Sequence, residues 1–181
     1  MATPFLASLS LEGLGPSRLW SRLPAEVRSL AARSLFAGDR EDKAARQLAD
    51  LSIAKAMRFR EVAVRKLPLD RRVEYLVRAV RPDDSLGSSL LLALHMEHRR
   101  PMLAAFLDAL DVPNDNGVIA DGGKVAPQPA ERLAAATRRL VGEFPAEDVE
   151  VYLASLLAMD PDTWGALAEV LTSLRDGSGP A

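Results

Sequence analysis

Cysteine is missing from the 181 residues, histidine occurs twice, and aromatic residues make up only 5%. Without cysteine there is no disulfide, no thiolate metal site and no cysteine nucleophile. Long apolar runs are missing too. The best, Leu90 to Leu94, runs into His95 and Glu97, far short of the ~20 residues that cross a bilayer. Met1 to Gly15 has no Lys or Arg ahead of its apolar residues and carries Glu12 within them, unlike a secretory signal. These absences lead us to expect a cytoplasmic protein with no membrane segment. A large excess of charge of either sign is also lacking, with 23 basic against 25 acidic side chains. Together with 48% hydrophobic residues, that excludes an intrinsically disordered chain and an extended basic tail. Arginine outnumbers lysine 19 to 4 and alanine is abundant, a composition expected of a GC-rich bacterial gene.

No segment alternates with period two for long enough to make a strand, whereas helical spacing runs almost throughout. Prolines and aspartates punctuate it where helices start. Pro24 opens a helix to Gly38 that buries Val27, Leu30, Ala31 and Leu35. Asp39 is the expected cap of a long helix from about Arg40 to Lys66. That helix has two apolar seams, Ala44–Leu48–Leu51–Phe59–Val62 and Ile53–Met57–Val64, which predicts a central helix packed on both flanks. Pro68 starts the next, with the stripe Leu69, Val73, Leu76, Val77 and Val80. Asp83 or Asp84 caps a helix carrying Leu86, Leu90 and Leu94, and Pro101 opens one carrying Leu103, Phe106, Leu107 and Leu110. Helices at 129–143, 145–158 and 161–174 follow, and Trp20 and Trp164 are expected in the core or at its ends.

The fold class expected is therefore all-α: an irregular helical bundle or short solenoid-like array of seven to eight helices. The pattern divides into an N-terminal arm or short helix (1–22), a basic helical half (23–110), a long Gly/Pro/Asp loop (111–129), an acidic helical half (130–175) and a flexible tail (176–181), all read as one domain. An internal duplication is suggested by an echo: Leu67-Pro68, Tyr75-Leu76 and Pro82-Asp83 recur as Phe144-Pro145, Tyr152-Leu153 and Pro161-Asp162. The loop serves either as a flap or as a connector. Val118-Ile119 and Lys124-Val125 around Asp121-Gly122-Gly123 are the expected arms of a small hairpin within it.

Motifs with a spacing test fail it. If Asp115-Asn116-Gly117 lay in a calcium loop, Val112 and Gly123 would occupy carboxylate positions. Gly122-Gly123-Lys124 lacks the earlier glycine and the Ser or Thr of a phosphate loop. Gly87-Ser88-Ser89 lacks the flanking pattern of a nucleophile elbow. Glu147-Asp148 and Asp83-Asp84 fall in first turns, where carboxylates offset the helix dipole. His95 and His98 stand three apart on one helix and are the candidate metal ligands, but no third ligand stands at a diagnostic spacing.

Charge is polarised along the chain, net +6 over residues 1–100 and net −8 over 101–181. Arg71, Tyr75 and Arg78 share a helix face away from the apolar stripe, and Arg58 and Arg65 share a face of the preceding helix. With Arg72 they form the candidate partner-binding ridge. We expect a non-enzymatic helical protein-interaction or scaffold module of unknown partner, whether another protein or a second copy. The alternative is a nucleic-acid-associated protein that uses the Lys55–Arg81 ridge. A third reading is a metal-dependent enzyme using His95 and His98. No cofactor is implied, and the sequence is silent on small-molecule ligands.

Overall fold

Proline marks most helix starts in the computed structural model, which describes residues 9–38, 42–119 and 125–175. Pro24, Pro68, Pro129 and Pro145 each occupy the N-cap, with ψ between 130° and 149°. From there each carbonyl accepts from the N–H four residues on, at 3.0–3.1 Å. The expectation that these prolines would be the first helical residue is corrected by one position: each helix begins just after its proline. A proline gives up no donor at the cap, and its fixed φ leads the chain in. Asp83 and Asp84 divide their work. Asp83 Oδ1 caps Leu86 N–H at 2.9 Å, and Asp84 Oδ1 accepts from Ser17 N–H at 2.9 Å.

Among the described residues there are eleven helices and one two-stranded hairpin, so the fold is all-α. The chain divides into two compact units. The first, residues 16–98, holds α1 (Pro16–Arg22), α2 (Ala25–Ala37), α3 (Lys43–Met57), α4 (Glu61–Arg65), α5 (Leu69–Ala79) and α6 (Asp84–His98). Its middle is α2, which packs on α5, α6 and α3, while α1 lies on α6. Leu19, Trp20, Ala31, Leu35, Ile53, Leu76, Leu86, Leu90 and Leu94 supply the core. Gly87 lets α1 approach closely: a Cβ there would stand 3.0 Å from Pro16 C and Ser17 N.

The expected long helix from Arg40 to Lys66 is not continuous. Its cap, Asp39, and Arg40 lie outside the described residues. The observed helix is capped by Asp42, whose side chain accepts from Ala45 N–H at 3.0 Å. It stops at Met57 because Arg58 turns left-handed (φ 55°, ψ 36°), and Phe59 N–H then bonds back to Ala54 O at 2.9 Å. A left-handed non-glycine residue costs about 1–2 kcal/mol, and nothing in the local composition announces it. Nor is the segment packed on both flanks. Ile53, Val64, Ala45 and Ala49 are buried, whereas Leu51 is 43%, Phe59 40% and Val62 62% exposed. The outer seam faces solvent.

The second unit takes in residues 9–15 and the chain from Arg99 onward. It holds α7 (Arg100–Ala109), β1 (Asn114–Asp115), β2 (Val118–Ile119), α8 (Ala130–Glu143), α9 (Ala146–Met159), α10 (Pro161–Trp164) and α11 (Leu167–Arg175). The 1–22 arm is thus shared between units, and its residues 1–8 lie outside the described part, as does the tail 176–181. α8 packs on α7, α9 and α11. At the centre Phe106 meets Tyr152 edge-on, centroids 5.5 Å apart, and Trp164 at 5.8 Å. The helix expected over 161–174 breaks at Gly165, leaving α10 and α11 as separate pieces.

Arg99, 9% exposed, pairs with Asp148 and anchors the start of α7 to α9. Burial lowers its pKa, and the Asp148 carboxylate opposes that shift. The hairpin also differs from expectation. β1 pairs antiparallel with β2, Asn114 opposite Ile119 and Asp115 opposite Val118. Its turn is therefore Asn116-Gly117 (φ 49° and 82°), the positive-φ pair a tight hairpin favours. Of the turn expected instead, residues 121–123 with Lys124 lie outside the described part. Gly117 presses on α7, where a Cβ would come 2.7 Å from Leu103 Cβ.

Of the echoed residues, Pro68 and Pro145 are the N-caps of α5 and α9, but the environments that follow differ. Tyr75 is half-buried on Phe59, while Tyr152 is buried against Phe106, which raises its pKa. The 15-residue α6 follows α5, whereas the four-residue α10 follows α9.

Candidate functional site

The charge asymmetry divides with the units: net +5 over residues 16–98 and net −7 over the remainder. Along the sequence, the basic surplus of the first unit is concentrated between Lys55 and Arg81, from the end of α3 to just past α5. From Lys55 to Lys66 the sequence holds five cations, Lys55, Arg58, Arg60, Arg65 and Lys66, against Glu61 alone. Phe59 and Val62 lie exposed in the same stretch, and Leu51 four residues ahead of it. The Arg58 turn positions Phe59, whose ring stands edge-on to Tyr75 at 5.8 Å and 72°. The result is a half-covered aromatic pair that includes Phe59, within a stretch of sequence rich in cations and exposed aliphatic side chains. Apolar side chains left in water within one short stretch are a common mark of a binding surface.

The ridge expected from sequence is partly dismantled by pairing within the unit. Arg72 leaves the ridge altogether. Its Nη2 and Nε donate to Asp50 Oδ1 at 2.7 and 3.0 Å, and its guanidinium lies 4.0 Å from the centroid of the Phe36 ring. The Asp50 side chain is 6% exposed. Arg72 sits three residues after Leu69 and four before Leu76, at the border of the buried stripe, so it turns inward where its fork finds a carboxylate.

Arg71 and Arg78 both pair with Glu74, at 2.8 and 2.9 Å, and Arg65 pairs with Glu61. These exposed pairs on single helices are worth a few tenths of a kcal/mol, on the order of 0.3–0.5, so a partner can exchange them cheaply. Arg58, Arg60, Lys55 and Lys66 have no ion pair among the described residues. What the sequence reading missed is the apolar element. Leu51, Phe59 and Val62 were assigned to the core because their spacing is helical, and spacing alone does not say whether a second helix covers them.

His95 and His98 part company. His95 is buried at 2% exposure on α6. His98 is exposed, and its Nε2 lies 2.8 Å from Ser34 Oγ. No group of three His, Cys, Asp or Glu side chains able to hold a metal occurs among the described residues. The hairpin portion of the long loop is fastened to its own unit. Asn114 Oδ1 accepts from Gly117 N–H at 2.9 Å, Asn114 Nδ2 donates to Asp108 Oδ1 at 2.8 Å, and Asp111 pairs with Arg132. No helix among the described residues is long and apolar enough to cross a membrane. Comparison with protein-family models, with curated proteins and with solved structures finds no match to this chain.

Proposed function

We propose that the chain is a non-enzymatic protein-interaction module whose contact surface is the outer face of α3, α4 and α5. The observation that carries this reading is the exposure of Leu51, Phe59 and Val62 among Lys55, Arg58, Arg60 and Lys66. A solvated face needs the cations but not the apolar side chains. A nucleic-acid backbone would use the cations, yet Arg72 is turned inward and the Tyr75 ring already lies against Phe59. An acidic protein segment with apolar anchors uses both sets of groups. The cysteine-free composition suits such a partner in the cytoplasm.

A fluorescent designed helical peptide, with leucines along one face and glutamates along the other, tests the assignment. Anisotropy should show saturable binding that weakens with salt and is lost in the Arg58→Glu/Val62→Asp double variant. An acidic peptide without the leucines should bind far more weakly. Preferential binding of single- or double-stranded DNA, unaffected by Val62→Asp, would replace this reading with the nucleic-acid one.

A further inference from the structure

A separate feature lies between α1, α2 and α5: a cleft of about 390 Å³ in the first unit. It falls within the size range of small-molecule pockets. Arg18, Arg28, Arg78 and Arg81 line it, and no carboxylate does. Glu74, which pairs with Arg78, lines the neighbouring cleft, and Asp84 is engaged at Ser17 N–H. Arg28 donates Nη1 to the Val77 carbonyl at 3.4 Å and has no ion pair among the described residues. Arg81 is exposed, with no ion pair among the described residues.

Two donors on residues that line the cleft are buried without an acceptor among the described residues: Trp20 Nε1–H, on a side chain 1% exposed, and Arg28 Nε–H. Buried N–H groups are normally satisfied. Concentrating guanidinium groups is unfavourable in an empty cleft and favourable around an oxyanion. Val77, Val80 and Pro82 supply apolar wall beside them.

We propose that this cleft binds a small, multiply charged phosphate-bearing molecule, with Arg28 and Arg81 as its principal charge partners. Arg78 of the expected ridge also lines this cleft, but the inference rests on Trp20, Arg28 and Arg81, which are not part of the α3–α5 face.

Calorimetric titration of the full chain with inorganic pyrophosphate at low ionic strength tests it, with sulfate and citrate as comparison anions. Pyrophosphate should bind saturably and more tightly than sulfate or citrate. Arg81→Gln should weaken it at least tenfold, whereas Arg139→Gln, at an exposed arginine of the second unit, should leave it unchanged. Arg81 is exposed, so that variant should keep the fold even where Arg28→Gln does not. In Trp164→Phe, the emission of Trp20 should change with the same midpoint.

Absence of saturable binding would overturn the proposal, as would citrate or sulfate binding as tightly. Equal losses in Arg81→Gln and Arg139→Gln would overturn it by reducing the effect to diffuse attraction. Binding only to phosphoinositide vesicles, with none to pyrophosphate, would overturn it in favour of a membrane surface.

Discussion

Replacing Arg72 with methionine should destabilise the first unit by about 3 kcal/mol, the lower end of the range for breaking a buried ion pair. The side chain keeps its length and stem packing, so the loss is chiefly electrostatic. Two N–H donors to Asp50 Oδ1 disappear, and so does the guanidinium over Phe36. Asp50, 6% exposed, is left buried without its cation, while the 18% exposure of the Arg72 side chain places the cost at the low end. Asp50→Asn should cost less, because the arginine can swing toward solvent.

Replacing both, as Asp50→Leu with Arg72→Met, should recover most of the loss, since an apolar pair of similar volume avoids the desolvation of two charges. Urea unfolding gives the free energies, and hydrogen exchange localises them to α2, α3 and α5. A loss below about 1 kcal/mol in Arg72→Met, the range of an exposed pair, would refute a structural role and return Arg72 to the binding ridge.

Gly117→Ala should loosen the hairpin by about 1–3 kcal/mol through its positive φ, compounded by the clash with Leu103, and faster amide exchange at Val118 and Ile119 would show it. Unchanged exchange would mean the turn does not depend on glycine. Gly87→Leu should drive α1 off α6, costing about 1–3 kcal/mol as an overpacked site, and should red-shift Trp20 emission; an unmoved spectrum would contradict the close approach. Burial raises the pKa of Glu150, with the nearby Arg175 opposing that shift. The folded chain therefore holds that proton more tightly than the unfolded one, so its contribution is greatest below the ordinary glutamate range and falls as pH rises through it. Glu150→Gln should flatten that fall in Tm across about pH 4 to 7, and parallel Tm profiles would rule the coupling out.

Helix starts were legible because proline and aspartate act locally: a fixed φ or a short carboxylate decides a cap without tertiary help. The α5, α6 and α7 stripes were legible because leucines at three- and four-residue steps define a buried face. Three features were not. The break at Arg58 depends on a left-handed arginine, which costs energy locally and is held by its surroundings. The inward turn of Arg72 depends on Asp50, 22 residues earlier, and no periodicity connects the two. The outer seam of α3 and α4 has the spacing of a core seam, and only the three-dimensional packing shows that no helix lies over it. The Asn116-Gly117 hairpin was readable in principle, since that dipeptide is the strongest short turn signal, but the glycine pair further along drew the assignment away. Of the candidate ridge, Arg72 turns inward, Arg71 and Arg78 pair with Glu74 and Arg65 with Glu61, and Arg58 has no ion pair among the described residues. The break at Arg58 ends the single helix on which Arg58 and Arg65 were expected to share a face. The Arg28–Arg81 cleft joins residues more than fifty positions apart, beyond any motif.

The most direct test of an interaction role for the α3–α5 face is a residue-resolved NMR titration with the leucine–glutamate peptide. Amide shifts should cluster at Leu51, Arg58, Phe59, Val62 and Tyr75, and should vanish in Arg58→Glu/Val62→Asp while the rest of the spectrum stays folded. Shifts spread evenly over the acidic and basic units, or confined to residues outside this face, would contradict it.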